Sequence, residues 1–152
     1  MEETLHRNLH PDLHPLLSEF HGINGQPLRV VWRVYAEQCL DKIILRFDQD
    51  SLVMEAEPYD DTLVFHLTRN EDLNINGWID ASQFEPWSGF IGKPFGWGWV
   101  TINQQDALDG VLLSFDGIIP QLMLNVMASS IVESIIHPSS EKSLPTQLAK
   151  EA

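Results

Sequence analysis

The chain has 152 residues, 43% of them hydrophobic with five Trp and seven Phe, enough for one domain whose core needs no covalent staples. Its 22 acidic residues against nine basic ones leave a formal net charge of −13, which repels phosphate backbones and anionic bilayers and so argues against nucleic-acid and membrane partners. The single Cys39 excludes an internal disulfide, and the polar start and lack of a long apolar run make the chain read as cytoplasmic.

Residues 1–11 read as a flexible N-terminus, 12–137 as one domain and 138–152 as a solvated tail. His6, His10 and His14 are spaced as on one helix face, but Pro11 breaks that span, so no metal site is expected. Leu13, Leu16, Leu17 and Phe20 recur at helical spacing and predict a helix over Asp12–His21, capped by Asp12 and stopped by Gly22. Alternating apolar residues then predict strands over Pro27–Ala36, Lys42–Phe47, Ser51–Glu57 and Thr62–Thr68, with turns at Asp48–Asp50 and Pro58–Asp61. Residues 69–95 lose that alternation. They read as a compact loop pinned by its aromatics, with one helical turn near Ala81–Phe84.

Strands resume at Gly98–Asn103 and Val111–Phe115, and Asp116-Gly117 predicts a hairpin returning through Ile118–Met127. Pro120 confines that return strand to an edge or a bulge. Ser130–Ile136 reads as a last strand, with a helix begun at Pro120 as the alternative for 120–136.

The candidate sites are few. In GWGWV, Phe95, Trp97, Trp99 and Thr101 should share one strand face, and the tryptophans are expected to wall the core beneath the long loop. Any pocket should lie where Trp97 and Trp99 meet Trp78 and Trp87. Asp60 and Asp61 belong to an acidic stretch, 48–61, that could meet a basic partner but lacks the order of a calcium loop. Cys39 lies among acids that disfavour its thiolate, and reads as an inert, buried thiol. His66, mid-strand, reads as a partly buried structural histidine. The pairs Asp106/Asp109 and Asp80/Glu85 could serve as catalytic carboxylates, but no nucleotide loop, nucleophile elbow or zinc helix motif accompanies them.

The block GWGWVTINQQDALDGVLLSFDGIIPQLMLNVMASSI, residues 96–131, resembles a family of small acidic bacterial proteins of unknown function. The resemblance extends over 28–136 and implies no catalytic residue. The expected fold is α+β: a curled, mainly antiparallel sheet of six or seven strands with the N-terminal helix packed on it. The expected function is that of a non-enzymatic binding protein without cofactor, masking a basic protein partner as immunity proteins do. The alternative is a small-molecule binder or enzyme with a pocket under the 77–99 loop. An exposed edge after Pro120 would also permit a homodimer.

Overall fold

The computed structural model describes residues 13–57, 59 and 61–138, and of residues 13–16 the backbone alone. Asp60, His6, His10, the His14 side chain and the residues after Pro138 lie outside that range. Among the described residues one α-helix, α1 (Leu13–Ile23), is followed by β1 (Val30–Ala36), β2 (Cys39–Arg46), β3 (Asp50–Glu57), β4 (Thr62–Arg69), β5 (Ile79–Asp80), β6 (Phe95–Ile102), β7 (Leu108–Phe115), β8 (Leu122–Met127) and β9 (Ser130–Ile135). The class is α+β and the pairing antiparallel, as expected. The single curled sheet is not found. The strands form two sheets, ordered β4-β3-β2-β1-β5 and β6-β7-β8-β9. Alternation marks a strand but not its neighbour, and here the division falls in the long loop. Beyond β5 the chain makes consecutive turns, with Trp87 N–H bonded to Phe84 O at 2.8 Å and Phe90 N–H to Trp87 O at 2.9 Å. Trp87 and Phe90 are drawn into the core, and β6 then begins a new sheet rather than extending the first.

The inner faces meet in one core. Val31, Ile43, Leu45, Leu52, Met54 and Phe65 of the first sheet share it with Val111, Leu113, Phe115, Leu122 and Leu124 of the second. Burial of this kind contributes about 25 cal/mol per Å² of apolar surface and is the main term holding the sheets together. On the outer face of the first sheet, Trp32, Ile44 and Val53 form a smaller cluster covered by Leu73 and Trp78.

The helix sits where the edge strands β4 and β6 come together. Phe20 stacks on Phe65 of β4 at 5.1 Å and on Phe95 of β6 at 5.9 Å. Gly22 does not stop it. The helix continues to Ile23, and Gly25, at φ +80°, makes the left-handed turn. Gly22 faces Leu67 so closely that a side chain would strike it, which is a packing use rather than a capping one.

Pro120 is not at a sheet edge. It lies in the six-residue connection between β7 and β8, and β8 is flanked on both sides, by β7 and β9. The missing N–H of Pro keeps it out of a central strand, so the strand starts two residues later. In that connection Gln121 is buried, and its Oε1 accepts the Phe115 N–H at 2.6 Å. The edge strand expected after Pro120 is therefore β9.

The hairpins β1–β2 and β8–β9 turn on Glu37-Gln38 (φ 52° and 73°) and Ala128-Ser129 (φ 51° and 68°). Both central residues of such turns need positive φ, which Asn-Gly supplies at least cost. The two turns lie at one end of the molecule. There Leu40 N–H bonds Ser130 Oγ at 3.1 Å, and Ser129 N–H bonds Asp61 Oδ1 at 2.8 Å. Glu37→Asn with Gln38→Gly should raise the stability by about 1 kcal/mol, read as a higher urea midpoint at unchanged slope.

Candidate functional site

The local chemistry of GWGW decides where its tryptophans point. Phe95 pairs with Phe115, but Trp97 pairs with Ser114, so a bulge at Gly96 inserts one residue and reverses the faces that follow. Gly96 presses on the Gly117 carbonyl, and Gly98 lies under the Phe20 ring. Phe95, Gly98 and Val100 consequently face the core, while Trp97 and Trp99 face out. The expected common face for Phe95 and Trp97, and the expected core wall, are both corrected by that one extra residue. Simple period-two counting cannot foresee a bulge.

The tryptophans do not gather. Trp78 lies on the outside of the first sheet against Trp32, with ring centroids 5.5 Å apart. Trp87 is fully buried, and its Nε1–H donates to Glu133 Oε2 at 2.6 Å. Trp97 and Trp99 adjoin each other on the outside of the second sheet at 6.5 Å, and Trp97 is half exposed. Three different layers separate the four indoles, so they enclose no common pocket. Asp61 is exposed and holds the β8–β9 turn through Ser129.

The acidic stretch is partly engaged within the fold. Asp48 pairs with Arg29 at 2.7 Å, which raises the already high pKa of the guanidinium by a hydrogen bond and by charge attraction. Asp50 accepts from Gln26 at 3.3 Å. His66 is exposed rather than partly buried, because its side of β4 faces away from the core, and Cys39 is half-buried rather than buried. Among the described residues no three His, Cys, Asp or Glu side chains gather to hold a metal ion, and no helix is long and apolar enough to cross a membrane.

Three features went unforeseen. One is an apolar outer face on the second sheet. Trp99, Leu112, Met123 and Ser134 form a cross-strand row, all half-buried or exposed. Ile118 and Ile119, 69% and 61% exposed, stand beside it in the β7–β8 connection. Residues 94–138 contain no Lys or Arg, so the charges around this face, Asp106, Asp109 and Asp116, all have one sign. The second feature is an ion pair between the sheets. Arg33 of β1 meets Glu133 of β9 through Nη2–Oε1 at 2.8 Å and Nε–Oε2 at 3.2 Å. A lone charged residue within the apolar run of β9 was the signal that could have found it. The third is a cavity of about 280 Å³ between α1 and β6, bordered by Leu17, Phe20, His21, Asn24 and the segment Phe95–Gly98.

A family model matches residues 15–140, and the family it describes is one of unknown function (DUF6334). No curated protein and no solved structure matches the chain.

Proposed function

The chain belongs to this family of unknown function, and on that premise we propose that it is a non-enzymatic binding protein whose outer second-sheet face covers a basic surface on a protein partner. The observation that carries this reading is the Trp97–Trp99 pair, set outward on a sheet with no cation of its own. Trp is the side chain most enriched among residues that dominate binding energy, and paired indole faces also accept Arg or Lys by cation–π attraction of about 0.5–2 kcal/mol. Leu112, Met123, Ile118 and Ile119 supply apolar area around them, and Asp106, Asp109 and Asp116 form an acidic rim.

Charge decides between partners. A second copy of a chain at −13 would bring like charges together across the face, whereas a cationic partner is steered toward it. The contact surface differs from the one read from sequence. Of the 77–95 segment, Trp87 and Phe90 lie in the core, which leaves Trp78, Ile79 and Phe84 as the side chains it could add to a contact.

The chain immobilised at low salt should capture a basic partner from its host. The double variant Trp97→Ser/Trp99→Ser should bind that partner at least about 30-fold more weakly, as removal of one strong aromatic anchor costs roughly 2 kcal/mol. Raising the salt to about 0.5 M should release it, since the Debye length then shrinks to a few ångströms. A partner held equally by the variant, or a stable homodimer through this face in sedimentation, would refute the reading.

A further inference from the structure

We propose that the cavity between α1 and β6 is a binding site for a small planar aromatic amine of one or two fused rings. The two segments are stitched at one point: Phe95 N–H donates to Gln26 O, and Gly25 N–H donates to Phe95 O, both at 2.9 Å. Beside it the cavity lies between α1 and the bulged start of β6. Its β6 wall runs Phe95-Gly96-Trp97-Gly98, two aromatic residues alternating with two glycines. Phe20 and Phe95, inclined by only 19°, are the interior rings that border it.

Volume and charge narrow the guest. At about 280 Å³ the space falls just below the range of drug-sized sites, which suits one or two rings and excludes a nucleotide or a peptide. Its polar side chains are His21, in the last turn of α1, and Asn24, the residue after the helix, both exposed. That turn carries the negative end of the helix dipole, which favours a cation there. The lining holds no Lys or Arg, and the chain as a whole is at −13, so the long-range field favours an aromatic cation over an aromatic carboxylate.

This site is separate from the outer sheet face, although Trp97 borders both, and its test avoids Trp97. The full chain is titrated with tryptamine and, as the control of opposite charge, with indole-3-acetate, by calorimetry and by amide chemical shifts. Saturable one-to-one binding of tryptamine is expected, with shifts centred on α1 and Phe95–Gly98. Indole-3-acetate should bind at least about tenfold more weakly, the equivalent of one favourable charge contact exchanged for a repulsive one. Leu17→Phe fills the cavity and should weaken tryptamine about tenfold or more. Asn24→Asp adds a carboxylate at the mouth and should tighten tryptamine severalfold while leaving neutral indole unchanged, a gain that loss of structure cannot imitate. The proposal is overturned by no saturable binding at about 10 mM tryptamine, the region of negligible affinity. It is also overturned by equal affinity for the two probes, or by no gain in Asn24→Asp.

Discussion

Replacing Arg33 by methionine should destabilise the protein by about 3–5 kcal/mol, because it strands a largely buried carboxylate. Glu133 is surrounded by its partners. Arg33 holds both its oxygens, Trp87 donates to Oε2 at 2.6 Å, and Arg33 Nη2 also donates to the Glu85 carbonyl at 2.9 Å. The side chains of Arg33 and Glu133 are only 16% and 12% exposed, so water cannot replace a lost partner well. Methionine keeps much of the arginine's volume and removes only its charge and donors. For a domain of this size the loss corresponds to a fall in Tm of roughly 10 °C or more. The double variant Arg33→Met/Glu133→Gln should recover most of the stability, since the amide oxygen still accepts the Trp87 N–H and no charge is left unpaired. Urea denaturation of the three variants is the measurement. A loss below about 1 kcal/mol for Arg33→Met would place the pair with ordinary solvated ion pairs.

Gly98→Ala should cost about 1–3 kcal/mol, the usual penalty for a methyl group forced into a packed core. The new Cβ would stand 2.6 Å from the Phe20 ring. Phe20 cannot retreat freely, held as it is between Phe65 and Phe95. Gly96→Ala should cost more, because its Cβ would strike the Gly117 carbonyl, and a backbone has no alternative rotamer. A double-mutant cycle separates the two. Phe20→Leu should couple favourably with Gly98→Ala and add independently to Gly96→Ala. Equal coupling at both positions would mean that the glycines act through a shared distortion instead.

Much of the fold was legible. The eight longer strands fall within a few residues of the expected ones, because the rows of Val, Ile and Leu that mark them also bury them. Leu17 and Phe20 marked the helix, though not its seat on Phe65 and Phe95. The misses have physical causes. The second sheet begins where Trp87 and Phe90 have turned into the core, a long-range event. The sharp turns at Glu37-Gln38 and Ala128-Ser129 lack Gly and Asn, so they carry no turn signature. The site was legible only in its materials. Trp97 and Trp99 were singled out, but the residue that aims them outward is the bulged Gly96, and the partner that absorbs Trp87 lies 46 positions along the chain.

The strand order has a kinetic consequence. Within each sheet every ladder joins consecutive strands, apart from the two-residue β5 beside β1. Each sheet can therefore form from contacts between near neighbours in the chain, with little loop-closure entropy lost before a contact is gained. The distant contacts are concentrated where the sheets dock, and the Arg33–Glu133 pair, 100 residues apart, belongs to that step. Substitutions at that pair should leave the folding rate nearly unchanged and act on unfolding, so the ion pair works as a latch on the finished molecule rather than as a guide in its assembly.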